Sequence, residues 1–274
     1  MIIKKIGLVV KSLNDSIALG REIYKFLTSR GIEVYVDDWS AGKMDLQHES
    51  RKIEDMDVDI IITLGGDGTI LKTVSLIKGK KIPVFGINFG TMGFLTEITP
   101  KYWKGSLEKI LEGNFIIEKK DKLSVKVNNK KVGDALNEVV IMTSLPVKML
   151  YFRITVNDQV VDDIKSDGVI ISTPTGSTAY SMSAGGPIVD PRVSAFVITP
   201  IAPFRSRIRS LVVPRNSTIE VRALMPKKEA LVVVDGELAG KLPPGGEAKL
   251  TLSGSKAYFV KIGGDFYEKI RERL

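Results

Sequence analysis

Between residues 64 and 69 the chain reads Leu64-Gly65-Gly66-Asp67-Gly68-Thr69, directly after the apolar run Asp59-Ile60-Ile61-Ile62-Thr63 and ahead of the helix-like segment Ile70 to Ile77. Glycines in a strand-to-helix turn let backbone N–H groups approach a phosphate closely, and the helix N-terminus adds a favourable dipole. A carboxylate in such a turn repels an anionic ligand unless it holds a metal or takes a proton from an attacking hydroxyl. The alternative is a tight turn with a capping aspartate. A second candidate runs from Ser166-Asp167-Gly168 through the apolar Val169 to Ile171 into Ser172-Thr173-Pro174-Thr175-Gly176-Ser177-Thr178-Ala179-Tyr180-Ser181-Met182-Ser183-Ala184-Gly185-Gly186-Pro187. Hydroxyls both donate and accept, and a tyrosine can pack a flat ring, so this composition suits a sugar, a phosphate or an adenine-like ligand. A third is Asn137-Glu138, ahead of Val139-Val140-Ile141-Met142, whose amide and carboxylate can read an adenine edge and a ribose hydroxyl. Taken alone, that pair reads as a surface feature at a strand edge.

These residues need elements to position them. Ile6 to Val10 reads as a buried strand, Asn14 to Ser16 offer helix-capping chemistry, and Ile17, Leu19, Ile23, Phe26 and Leu27 recur at helical spacing until Gly31. Ile32 to Val36 is the next strand, followed by a polar stretch from Asp37 to Asp57 that contains His48, read as a solvated surface residue. After the glycine turn and its helix, Pro83 precedes the strand Val84 to Ile87. This alternation predicts a parallel sheet with helices on both faces and puts Asp67 at its carboxyl edge, where open α/β folds bind ligands. A second loop, Asn88 to Thr96, leaves the sheet at the same edge, with Phe89 and Phe94 as core residues. Beyond a short helix at Leu107 to Leu111 the pattern changes to short strands with turn signals at Asn128-Asn129, Asn157-Asp158 and Gly245-Gly246. The reading is therefore an α/β domain over 1–99, a mostly β domain over 100–254, and a segment 255–274 whose amphipathic helix, Phe266 to Arg271, returns to the first domain.

Composition narrows the chemistry. The 274 residues are 43% hydrophobic, with apolar runs of strand length, far short of a bilayer span, and no signal-peptide segment at the start, which makes the cytoplasm the expected location. No cysteine and a single histidine exclude thiolate chemistry and histidine-based metal clusters. The net charge of +8 suits a phosphorylated small molecule as well as nucleic acid, and no basic stretch is interleaved with aromatics. GxxxxGK[ST], GxGxxG and GxSxG motifs are all absent. A carboxylate in a phosphate-binding turn plus a hydroxyl-rich sugar or adenine site fits phosphoryl transfer to an alcohol, so the residues alone reach a nucleotide or sugar kinase.

The turn Gly65-Gly66-Asp67-Gly68, the loop ending Gly93-Phe94-Leu95, the pair Asn137-Glu138 and the segment Asp167 to Tyr180 together resemble the NAD kinase family, in family order from Leu64 to Glu237. Residues 1 to 60 carry none of its motifs. The resemblance implies transfer of a phosphoryl group from ATP, or from inorganic polyphosphate in some members, to the 2′-hydroxyl of the adenosine ribose of NAD, giving NADP with a divalent metal, usually Mg2+. It implies that Asp67 is the proton acceptor, that Gly68 continues the phosphate turn and that Lys72 contacts dinucleotide. It further implies that Asn137 and Glu138 meet the base and ribose. Thr175, Thr178, Ala179, Tyr180, Ser181, Met182 and Ser183 line that pocket, while Lys148, Lys165, Asp167, Ala202 and Glu237 match further dinucleotide positions. Glu237 stands where the family often has glutamine. Members are generally homodimers or homotetramers, and some of these residues reach a neighbouring subunit's site; neither nucleic acid nor membrane is implied. The alternatives are a lipid kinase with the same glycine turn and a non-catalytic NAD(P) sensor.

Overall fold

The computed structural model describes residues 2–11, 14–90, 93–145, 148–205 and 208–273. Thr91 and Met92 of the second loop lie outside them. The chain forms two compact units, Met1–Lys119 with Ala257–Leu274, and Lys120–Lys256.

The first unit contains β1 (Lys5–Val10), α1 (Asn14–Thr28), β2 (Glu33–Asp37), α2 (Asp38–Met44), β3 (Ser50–Arg51), β4 (Ile60–Gly65), α3 (Asp67–Leu76), β5 (Val84–Asn88) and α4 (Trp103–Leu111). Its parallel pairs are β2 with β3, β1 with β2, β1 with β4, and β4 with β5. β4 is buried along its whole length, as a parallel strand covered on both faces must be. From β1 the chain crosses to β2 on one side and reaches β4 on the other, so the strand order reverses between β1 and β4, the place where such sheets open a crevice at their carboxyl ends. The stretch 37–57, read as polar and given no elements, holds α2 and β3. Asp37 makes the difference: its carboxylate accepts the Ser40 N–H at 3.2 Å and caps α2, which buries Ala41 and Met44. His48 is exposed, as expected.

The second unit begins within β6 (Ile116–Val127) and continues through β7 (Lys130–Ala135), β8 (Glu138–Thr143), β9 (Leu150–Val156), β10 (Gln159–Ser166), β11 (Gly168–Ser172), α5 (Tyr180–Ser183), β12 (Ala195–Ile201), β13 (Leu211–Pro214), β14 (Ile219–Ala223), β15 (Ala230–Val234), β16 (Glu237–Leu242) and β17 (Glu247–Lys261). One antiparallel sheet has the order β13-β12-β11-β8-β15-β16; β10, β9, β14 and β17 form the other, with β6 on β17 and β7 on β6. Ile141, Ile171 and Val232 of the first sheet share a buried core with Phe152, Val221 and Leu250 of the second. Asn128-Asn129, Asn157-Asp158 and Asp235-Gly236 all take positive φ at both positions, which two-residue hairpin turns require. Only the first two of these turns were read from the sequence.

β17 ends in the first unit, where Phe259 pairs with Val84, and α6 (Phe266–Arg273) follows. The Lys269 Nζ donates to the carbonyls of Phe94 at 3.1 Å and Thr96 at 2.5 Å, and the Phe266 ring lies 6.2 Å from that of Phe94. Glu97 accepts from the N–H groups of Ile262 and Gly263 and from Lys261. The second loop is thus held by the chain's last helix. Phe89 and Phe94 are half-buried rather than core residues. Among the described residues no helix is long and apolar enough to cross a membrane. Lys269→Met removes a charged donor from two carbonyls and is expected to cost about 1–3 kcal/mol, read as a lower urea midpoint; an unchanged midpoint would show that α6 does not hold this loop.

Candidate active site

In the first unit the site is built on one carboxylate. Gly66 caps α3 without a side chain, so Asp67 is its first helical residue and sits half-buried at the carboxyl edge of β4. Its Oδ2 accepts the N–H of Phe94 at 2.8 Å, and its Oδ1 accepts those of Leu95 at 3.1 Å and Thr96 at 3.2 Å. Three successive amides of the second loop therefore converge on Asp67. Any Cβ at Gly93 would collide with this carboxylate, and one at Gly65 would collide with the side chain of Thr69. Both glycines are demanded by close approach rather than by flexibility. Oδ2 takes a single hydrogen bond among the described residues, which leaves it one acceptor direction. Gly68 and Lys72, the other residues assigned here, are exposed on the first turns of α3.

In the second unit Asn137 and Glu138 are each 7% exposed, which rules out the surface-feature reading of the pair. Their backbone is clamped from two sides. The Asp235 carboxylate accepts the N–H groups of Leu136 at 2.7 Å, Asn137 at 2.8 Å and Glu138 at 3.1 Å, and the Asp235 N–H returns a bond to the Glu138 carbonyl at 3.0 Å. Opposite, the Thr173 hydroxyl donates to the Leu136 carbonyl at 2.6 Å and its N–H to the Asn137 carbonyl at 2.9 Å. Gly176 lies so close to the Asn137 backbone that a Cβ there would displace it. Asn137 Oδ1 and Glu138 Oε2 are left buried with no partner. An orphaned buried acceptor costs on the order of 1–3 kcal/mol, so two side by side mark a place where a ligand brings donors.

Burial is the main force on Glu138, with the Asp235 carboxylate adding to it and the Tyr180 N–H opposing; together they push its carboxyl up to about 8. Burial likewise raises Asp235, against the three amides it accepts and the charge of Lys122. At neutral pH Glu138 is therefore largely protonated and can donate as well as accept.

The second-unit residues named from the sequence separate into two groups. Glu138 pairs with Ser172, and Val234 with Val139, so Asn137, Glu138, the segment Thr175 to Ser183 and Glu237 gather at one end of the six-stranded sheet. Ser181 is buried there against Thr199, Oγ to Oγ1 at 3.0 Å, while Tyr180 is 41% exposed. Thr178 is buried, Thr175, Ala179 and Met182 are half-buried, and Ser183 and Glu237 are exposed. Lys148, Lys165, Asp167 and Ala202 collect at the opposite end: the Thr143 hydroxyl donates to the Lys148 carbonyl at 2.8 Å, the Thr143 N–H to Asp167 at 2.9 Å, and the Asp167 N–H to Ile201 at 3.1 Å. The two groups lie at opposite ends of β8, Glu138 to Thr143, roughly 16 Å apart at strand rise. Ala202 is exposed with φ +45°, a left-handed conformation rare for alanine. Sequence reasoning gave no positioning role to Asp235, Thr173 or Gly93, although Thr173 and Gly93 lie in stretches it singled out; the signal for Asp235 was the Asp-Gly turn dipeptide.

Residues 6–115 match the model of the ATP-NAD kinase N-terminal domain, and residues 136–262 that of the ATP-NAD kinase C-terminal domain. The chain is 46% identical over 272 residues to the NAD kinase of Methanothermobacter thermautotrophicus, covering 98% of this chain and 96% of that protein. It is similar in structure to yeast NADH kinase complexed with NADH, with a TM-score of 0.86 and 26% identity over 99% of this chain and 86% of that one. An NAD kinase from Archaeoglobus fulgidus in complex with ATP gives a TM-score of 0.82 and 31% identity over 98% and 100%.

The raised Glu138 carboxyl has a definite consequence for stability. The unfolded chain releases this proton near the ordinary 4.5 and the folded chain near 8. Its contribution is fully present below the lower value and is lost as pH rises through the upper one, because the unfolded state binds fewer protons in between. Chemical denaturation of the ligand-free protein should therefore show wild type losing on the order of a few kcal/mol more than Glu138→Gln between about pH 5 and 8. Parallel slopes would contradict the assignment.

Proposed function

The chain belongs to the NAD kinase family, and from that premise we propose that it transfers the terminal phosphoryl group of ATP to the 2′-hydroxyl of the adenosine ribose of NAD, with Asp67 as the base. The 2′-oxygen attacks the terminal phosphorus, the bond to the ADP oxygen breaks, and the hydroxyl proton passes to the Asp67 carboxylate. The observation that carries the reading is Asp67 itself: a carboxylate at a helix N-terminus with one Oδ2 acceptor direction open. A helix N-terminus stabilises a carboxylate, and one that keeps an acceptor direction open beside an anion-binding turn is placed to take a proton from a hydroxyl that attacks a phosphate there. The match is to NAD kinases along nearly the whole chain, and neither a lipid kinase nor a non-catalytic sensor gains support.

The acceptor side rests on the second unit. Asn137 and Glu138 offer buried groups to the adenine edge and ribose hydroxyls, and Tyr180 offers an exposed ring to the base. Among the described residues no cluster of acidic or imidazole side chains could cage a resident metal ion. A divalent cation, Mg2+ in our reading, would be held chiefly by the triphosphate and would offset its charge. Inorganic polyphosphate would present the same anionic end to the Gly66–Thr69 turn. The roughly 16 Å between the two groups of second-unit residues supports a homodimer or homotetramer in which Lys148, Lys165, Asp167 and Ala202 serve a neighbouring subunit's dinucleotide. A cytoplasmic location agrees with these substrates.

Asp67→Asn should lower kcat by roughly two to four orders of magnitude with little change in KM for NAD, the range for a lost general base. Near-normal turnover would refute the role of Asp67. Tyr180→Ala should raise the apparent KM for NAD by about tenfold, and an unchanged value would remove the ring from the pocket.

A further inference from the structure

Behind the three amides that Asp67 accepts stand the carbonyls of the same residues, and two of these are taken up by a buried cation. Lys269 on α6 is 8% exposed, and its Nζ donates to the Phe94 carbonyl at 3.1 Å and to the Thr96 carbonyl at 2.5 Å. The peptide group that joins Phe94 to Leu95 therefore carries two charge-assisted bonds at once. Its C=O accepts from the Lys269 ammonium, and its N–H donates to Asp67 Oδ1 at 3.1 Å. A trans peptide points these two groups in opposite directions, so the loop lies between the cation and the carboxylate, and each bond polarises the other.

An ammonium is costly to take out of water unless its donors are used, so α6 and the loop fix each other's placement. Two further contacts narrow it. The Glu97 carboxylate accepts the N–H groups of Ile262 at 3.0 Å and Gly263 at 3.2 Å as well as the Lys261 ammonium, and the Thr96 hydroxyl accepts the Gly93 N–H at 3.0 Å. All of these residues belong to one compact unit. The Phe266 ring beside that of Phe94 supplies apolar docking, and the ammonium adds direction to it. We propose that Lys269 is a positioning residue for the phosphoryl transfer: from the chain's last helix, through the peptide between Phe94 and Leu95, it fixes where Asp67 Oδ2 points. The assignment rests on the kinase reading above and deepens it. Lys269 contacts the loop and not the carboxylate, so its loss should misplace the base without removing a substrate contact. A displacement of about 1 Å in a reacting group is enough to cost about 100-fold in rate.

Steady-state NADP formation by the full-length protein, at a temperature where circular dichroism shows each variant folded, separates this role from simple stability. Lys269→Met should lower kcat by about 10- to 100-fold while the KM values for NAD and ATP stay within about twofold of wild type. Lys269→Arg, which keeps the charge and its donors, should recover most of kcat, and Lys269→Gln, with a neutral donor, should fall between the two. Ile270→Ala trims α6 at a half-buried position that makes none of these hydrogen bonds, and should lower the urea midpoint with kcat near wild type. Amide hydrogen exchange at residues 94–96 should quicken in Lys269→Met and stay slow in Lys269→Arg. An unchanged kcat in folded Lys269→Met, a loss that falls on KM instead, or an equal loss of kcat in Ile270→Ala would overturn the proposal. If the wild type makes no NADP, the kinase reading fails, and exchange at residues 94–96 still decides whether Lys269 holds the Asp67 loop.

Discussion

In each unit a single aspartate carboxylate takes up three consecutive backbone N–H groups, and the functional residues depend on that arrangement. Asp67 receives the amides of Phe94, Leu95 and Thr96; Asp235 receives those of Leu136, Asn137 and Glu138. Removing a carboxylate from water is costly unless its oxygens are hydrogen-bonded, and charge-assisted bonds are about twice as strong as neutral ones. The converse matters as much. Three amides that converge on one point can belong to only a narrow range of backbone conformations, so the segment that donates them is fixed in place.

This constraint explains where glycine is required. A loop drawn onto Asp67 has no room for a side chain at Gly93, and a segment held between Asp235 and Thr173 has none at Gly176. It also explains how Asn137 and Glu138 come to carry unsatisfied acceptors in a buried place. Their backbone groups are already spent on Asp235 and Thr173, so the side chains cannot turn back to satisfy themselves on it. The folded chain accepts that cost, which a ligand that brings donors would relieve.

Much of this was legible in the sequence, and the rest was hidden for identifiable reasons. The strand-turn-helix around Asp67 shows itself because an apolar β-branched run, glycines and a helical period follow one another locally. The stretch 166–183 stood out by composition, whereas Asn137-Glu138, which taken alone read as a surface feature, was singled out by family resemblance. Asp235 was not, because its amides lie 97 to 99 residues away and only the fold brings them together. The cap that Asp37 places on α2 was masked by the charged residues around it. The division of Lys148, Lys165, Asp167 and Ala202 from the other residues named by resemblance depends on antiparallel register, which no local pattern reports.

The central claim is that the one open acceptor direction of Asp67 is aimed at the hydroxyl that is phosphorylated. A crystal structure of the wild-type protein with NAD and a non-hydrolysable ATP analogue tests it most directly. The account predicts the adenosine 2′-oxygen within hydrogen-bonding distance of Asp67 Oδ2, about 2.6–3.2 Å, or joined to it by one water. A fully occupied dinucleotide whose 2′-oxygen lies beyond the reach of that carboxylate, with the loop amides still bound to it, would contradict the account.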